Sequence, residues 1–334
     1  MLLVSGLAYA EEAASFRPAW WCPGAHLQTI WAGVLRPPPR VPVVHERWDL
    51  PDGDFLDVDE LSADAPAPRV IILHGLEGSS RSPQVLGMLS QAHRRGWGAV
   101  AVNFRGCSGE PNRLRRSYHG GETGDLAWVI TRVSTQHPSS PIICVGFSLG
   151  GNVLLKYLGE QGEALPPQVL AAAAVSTPFD LALSAKGLAH GFRRVYMNRL
   201  VASLKRKTVE KLQRYPDLVD ANRLRAVRTL AQFDDLVTAP VHGFKDAEDY
   251  WAHSSSAAFL PRIRRPTLLI NAKDDPFLPA SALPVQAAAE NRFLHAEFPA
   301  RGGHLGFLTG RRPWAPTAWA EARAVEFLAQ YASL

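Results

Sequence analysis

The chain has 334 residues, 46% hydrophobic and 20% charged. These are ordinary values for a soluble protein with a sizeable core, and the length suits one α/β domain carrying an insertion. A formal charge of +5 and a pI near 9.2 make it mildly basic. Three cysteines (Cys22, Cys107, Cys144) with no CxxC pair argue against a disulfide framework or a thiolate metal site, and for a reducing, cytoplasmic setting.

The first residues, "LLVSGLAYA", end in an Ala-x-Ala-like triplet. The apolar run is short and no Lys or Arg precedes it, so it reads as an irregular start rather than a signal peptide. No later window has the 18 apolar residues of a membrane span. Residues 1–45, rich in aromatics and broken by Pro37-Pro38-Pro39, read as an extension packed on the core, since proline offers no donor to a helix or inner strand.

From residue 46 a regular rhythm sets in. Two alternating segments around Pro51-Asp52-Gly53 predict a hairpin. "RVIILHG", "GAVAVNFRG", "PIICVGFS" and "VLAAAAVSTP" read as buried strands, with helical patterns between them. Residues 181–255 look helical and polar. The rhythm resumes with strand "PTLLINAKDD", helix "ASALPVQAAAE", strand "FLHAEFP" and helix "APTAWAEARAVEFLAQYAS". This is an α/β pattern: a mostly parallel sheet with helices on both faces. The core comprises residues 46–180 and 256–334, and the helical stretch is a cap over the sheet's carboxyl edge, where ligands bind in such sheets.

Gly146-Phe147-Ser148-Leu149-Gly150 sits between a strand and a helix. That is the nucleophile-elbow pattern: a sharp turn in which Gly146 and Gly150 keep strand and helix from colliding and the helix N-terminus faces the serine. A serine hydroxyl needs a base, and the base an orienting acid. His304, in the glycine-rich loop after the last strand, is the candidate base. Asp275, beside Pro276 at a strand end, is preferred to the adjacent Asp274 as the acid. The order Ser, Asp, His fits this kind of sheet. An oxyanion would be held by the backbone N–H groups of Leu149 and of Leu76, in "HGLEGSS". Glu77 is out of place there, because a carboxylate repels an oxyanion; the expectation is a solvated or capping side chain that points away. His74 is read as shaping that loop, His119 has no assigned role, and Arg105 is read as bracing loops through carbonyl clusters.

These motifs resemble the α/β-hydrolase superfamily. "HLQTIW", "LPDGDFLDVD", "HGLEGSSRSP", "NFRGCSGEPNRLRRSYHGGETGDL", "GFSLGGN", "NAKDDPF" and "GGHLGF" resemble its YheT-like branch, which includes ABHD-type lipases and esterases. The resemblance spans His26 to Phe307. It implies a Ser–His–Asp hydrolase of carboxylic esters, short-chain or lipid-like, with Ser148, Asp275 and His304 as the triad and a small-molecule ester as partner. It implies no metal and no organic cofactor. Arg301 departs from some relatives, which have histidine there.

Between His190 and Leu230 there are eleven Lys or Arg against three acids, a net +8 that exceeds the whole chain's +5. Solvated helix faces are the plainer reading; docking on an anionic membrane or steering of acidic substrates is the sharper one. No nucleic-acid motif accompanies the charge. Trp20, Trp21, Leu27, Ile30 and Trp31 read as a segment packed on the core rather than a membrane anchor, with a wall of the acyl pocket as a further role open to them. Acyl transfer by the same triad, or a binding protein on this fold, are the rival functions. A Rossmann dehydrogenase is weaker, since no Gly-x-Gly-x-x-Gly follows the first strand of a βαβ unit.

Overall fold

The computed structural model describes residues 16–64 and 66–332; the apolar start discussed above lies outside the described residues. Helix α1 (Ala25–Ile30) runs into a π-helical turn, Trp31–Leu35, that ends at the proline run. Strands β1 (Val44–Asp49) and β2 (Phe55–Leu61) pair antiparallel around Gly53, whose φ of 84° is the left-handed backbone that the turn requires. Then come β3 (Arg69–Leu73), α2 (Pro83–Arg94), β4 (Gly98–Val102), α3 (Gly124–Gln136), β5 (Ile142–Phe147), α4 (Leu149–Gln161) and β6 (Val169–Val175). After a helical insertion follow β7 (Thr267–Ile270) and β8 (Leu294–Glu297). The eight strands form one sheet in the order β1-β2-β4-β3-β5-β6-β7-β8, with β3 to β8 mutually parallel.

Each residue of β3 and β5 is buried, as parallel strands covered on both faces require. The two-residue period divides the core. Val70 and Ile72 face Val85, Met88 and Leu89 of α2, while Ile71 and Leu73 face Val129 and Ile130 of α3 and Leu154 of α4.

Between β6 and β7 lie α5 (Leu181–Leu188), α6 (Arg194–Leu212), α7 (Ala221–Ala226), α8 (Leu230–Phe233), α9 (Ala239–His242) and α10 (Ala247–Ser254). Asp180, Asp220, Thr229 and Asp246 start four of these helices, each side chain accepting a backbone N–H of the first turn. The helices share their own apolar cluster, built on Leu188, Met197, Val201, Phe233 and Trp251, and Leu149 of the elbow belongs to it.

The basic side chains of this region are not all on its surface. Lys211 is buried and donates to the carbonyls of Leu114 (2.9 Å) and Arg116 (2.7 Å). Lys207 also turns inward, toward a buried carboxylate. The exposed face of α6 carries Val195, Arg199, Ala202, Arg206 and Val209. Part of the local excess charge is therefore structural. No helix among the described residues is long and apolar enough to cross a membrane.

Two expected helices are shorter than their sequence pattern. In 280–290 only α11 (Val285–Glu290) is α-helical, with a 3₁₀ turn at Ala280–Ala282, because Pro284 breaks the run. The last helix, α12, covers Trp319–Ala332. Thr317–Ala318 ahead of it pair instead with Leu308–Thr309 as a small antiparallel ribbon, β9 (Leu308–Thr309) and β10 (Thr317–Ala318); Pro316 favours extended backbone at the residue before it.

Asp234, half-buried in the insertion, accepts from Thr238 Oγ1 (2.8 Å) and Trp251 Nε1 (2.9 Å). Burial pushes its carboxyl up to about 6. A raised folded-state pKa stabilises the fold below the unfolded value, and that contribution is lost as pH rises through about 6. Asp234→Asn should therefore raise the melting temperature relative to wild type at pH 8, and the gain should vanish near pH 4. Thermal melts at the two pH values check this; an equal effect at both would contradict it.

Candidate active site

Strand β5 ends at Phe147 and α4 begins at Leu149, so the chain reverses at Ser148 alone. Its backbone has φ 51° and ψ −119°, strained for any residue with a Cβ. The strain is imposed by crowding. A Cβ on Gly146 would collide with Gly150 O and Gly151 Cα, and one on Gly150 with the carbonyls of Leu73 and His74. Gly151 is a third such position, against Thr177, which the pentapeptide pattern did not reveal.

Ser148 Oγ lies 2.9 Å from His304 Nε2. His304 Nδ1 lies 2.9 and 3.1 Å from the two carboxylate oxygens of Asp275, whose side chain is fully buried. Asp275 also accepts from Phe277 N (2.7 Å), which fixes the carboxylate's direction. The fold brings Asp275 to the imidazole. Asp274 points elsewhere and accepts from Gly303 N (2.9 Å), shaping the histidine loop, with its carboxyl pushed up by burial. Phe277 stacks on the imidazole, ring centroids 3.9 Å apart.

The loop carrying His304 rests on the N-terminal segment. Thr29 Oγ1 donates to Ala25 O (2.7 Å) and accepts from His304 N (2.9 Å). Gln28, 1% exposed, donates to Cys22 O (2.9 Å) and Leu308 O (3.1 Å), and accepts from Leu308 N (2.7 Å). On the other side Leu305 N donates to Ser176 Oγ (2.9 Å). Gln28, Thr29, Ser176 and Phe277 escape sequence reasoning. Two polar residues inside an aromatic stretch, "HLQTIW", are the one available hint.

Leu76 lies in a turn closed by Gly78 N donating to Gly75 O (3.0 Å). Gly75 backs directly onto Ser148: a Cβ there would stand 3.0 Å from the serine Cβ. The amides of Leu76 and Leu149 donate to no acceptor among the described residues. His74, fully buried, holds this turn. Its Nδ1 donates to Gly75 O (2.7 Å) and its Nε2 accepts from Phe104 N (3.1 Å), and burial lowers its pKa to about 4, so the ring is neutral.

Glu77 is neither solvated nor a helix cap. Its carboxylate is 4% exposed and bound to Tyr118, Ser203 and Lys207. Arg105 does brace loops, but through the carboxylates of Asp52, Asp54 and Asp125, not through carbonyls. His119 packs against His242 and Tyr250, and its Nδ1 accepts from Gly121 N. Of the N-terminal aromatics, Trp21 and Trp31 pack together, whereas Trp20 is 77% exposed.

The sheet order and this serine turn define a class. The profile of the alpha/beta hydrolase fold matches residues 68–311, and the chain belongs to the α/β-hydrolase superfamily. Within that superfamily it is similar to YheT of Escherichia coli, a provisionally assigned esterase, at 40% identity over 96% of this chain and 95% of that one. It is also similar to a monoacylglycerol lipase of Saccharomyces cerevisiae, at 31% identity over 77% of this chain and 59% of that one. An esterase of Pyrococcus furiosus shares the fold, with a TM-score of 0.57 at 16% identity, covering 89% of this chain and 100% of that chain. The family match makes the chain a member of a hydrolase superfamily, and the two sequence relatives carry the names esterase and lipase.

Thr29→Val removes the acceptor of a part-buried amide with little change in shape. It should lower the unfolding free energy by about 1–2 kcal/mol, because the His304 N–H is left unpaired. Urea unfolding measures this, and unchanged stability would mean that the amide finds another partner.

Proposed function

We propose that the protein hydrolyses carboxylic esters through an acyl-serine intermediate, with Ser148 as nucleophile, His304 as base and Asp275 as the acid that orients it. The observation that carries this reading is the continuous hydrogen-bonded line from Ser148 Oγ through His304 to the buried Asp275. Ser148 Oγ attacks the ester carbonyl and passes its proton to His304 Nε2. The oxyanion that forms is met by the amides of Leu149, at the N-terminus of α4, and Leu76. Collapse breaks the bond to the alkoxide, which leaves as the alcohol with the proton from His304. Water then repeats the sequence: His304 takes its proton, the hydroxide adds to the acyl carbon, and the acid departs as Ser148 regains the proton.

The surroundings favour an apolar substrate. The side chains of Leu76, Leu149, Leu181 and Phe277 join the insertion's apolar cluster, and Tyr196 packs on Phe277 with ring centroids 5.0 Å apart. Such a lining suits an acyl or alkyl chain rather than a charged group. The relatives named esterase and lipase support the same substrate class.

Hydrolysis of p-nitrophenyl esters from acetate to palmitate tests the reading. Wild type should turn over part of the series, and Ser148→Ala should lower kcat/KM by about 10³-fold or more. Equal rates in the two proteins would remove Ser148 from the mechanism.

A further inference from the structure

Glu77 directly follows the proposed oxyanion donor Leu76, where a free carboxylate would oppose the negative charge of the transition state. It is a non-glycine residue with φ 56°, a conformation that persists only when the surroundings hold it. They do so through four bonds. Glu77 N donates to Tyr118 Oη (2.9 Å), and Tyr118 Oη donates to Glu77 Oε1 (2.8 Å). Ser203 Oγ donates to Glu77 Oε2 (2.6 Å), and Lys207 Nζ donates to Glu77 Oε1 (3.0 Å). Ser203 and Lys207 stand one turn apart on α6, so the carboxylate joins the turn at 75–78 to the insertion.

Each side of this joint is itself anchored. Tyr118 stacks on Phe104 (centroids 5.3 Å), which meets the ring of His74 (4.6 Å), and His74 holds Gly75 O. Lys207 Nζ also reaches Cys107 Sγ (3.1 Å). Farther along α6, Lys211 is caged by the carbonyls of Leu114, Arg115 and Arg116, and Tyr215 Oη donates to Arg113 O (2.7 Å) just beyond the helix. The turn, the segment 104–118 and α6 therefore form one hydrogen-bonded body.

From this geometry we infer that Glu77 is a positioning residue. With Ser203 and Lys207 it ties the direction of the Leu76 N–H to the seating of α6, and Lys207 neutralises a carboxylate that would otherwise oppose the oxyanion. The insertion thus completes the oxyanion site as well as covering it. This inference rests on the proposed ester hydrolysis.

The test uses Glu77→Gln, Lys207→Met and the double variant, each assayed with a p-nitrophenyl ester well below its melting temperature. Arg199→Ala, on the exposed face of the same helix, is the control. Lys207→Met leaves the buried Glu77 carboxylate without its cation, and Glu77→Gln leaves the half-buried Lys207 without its anion, so kcat should fall on the order of tenfold or more, with KM little changed. Affinity for a trifluoromethyl ketone, whose serine adduct bears an oxyanion, should fall in parallel. The double variant should recover part of both losses, which independent surface changes would not do. A kcat within twofold of wild type in both single variants, or a loss confined to KM, would overturn the inference. If Ser148→Ala abolishes turnover while the Glu77 variants keep theirs, only the positioning role fails. If Ser148→Ala keeps its activity, the underlying hydrolysis reading fails first.

Discussion

The turn at Ser148 is the constraint on which the rest of the site depends. β5 must stop and α4 must start within one residue; the two elements then leave no room for a Cβ at 146, while the first turn of α4 abuts the end of β3 at Gly150 and the Thr177 side chain at Gly151. The serine carries the resulting backbone strain, and its amide is held by Val175 O of β6 at 2.9 Å. Because Gly150 packs on the end of β3, the turn that follows β3 is brought against Ser148 as well. One steric requirement thereby sets the helix N-terminus, the serine and the Leu76 turn in a common frame.

Other parts of the chain converge on that frame from far away in sequence. The histidine loop leans on Thr29, and the Leu76 turn is tied to α6 through Glu77. Neither the N-terminal segment nor the insertion is an appendage to an independent core. Each donates or accepts hydrogen bonds one residue from, or directly at, a residue of the candidate site. The strained positive φ at Glu77, Ser148, Ser176 and Leu305 gathers around the same few residues, as expected where surrounding contacts over-determine the backbone.

What the sequence reveals follows from how local each signal is. A strand buried on both faces must be apolar throughout, so β3, β5 and β6 are visible as runs. The elbow is visible because its steric demand falls on residues two apart. Asp275 and His304 are visible because loops at the carboxyl edge of a parallel sheet face its ligands. Asp274 and Asp275 are harder to tell apart. Both lie in one turn, and only the reach to the imidazole separates them. The partners of Glu77 and Thr29 leave no local trace, since Lys207 lies 130 residues from Glu77 and His304 lies 275 from Thr29. The helices in 280–290 and 315–333 are shorter than their composition suggests for a related reason. Proline and a short pairing with Leu308–Thr309 override an otherwise helical composition.

Acylation of Ser148 is the step on which the proposed hydrolysis depends. The direct measurement is mass spectrometry of the tryptic peptides after treatment with a fluorophosphonate, which transfers its phosphonyl group to an activated serine with loss of fluoride. The expected result is a single adduct on the peptide containing Ser148, strongly reduced in His304→Ala. An adduct on a different residue, or none from a protein that still hydrolyses esters, would contradict it.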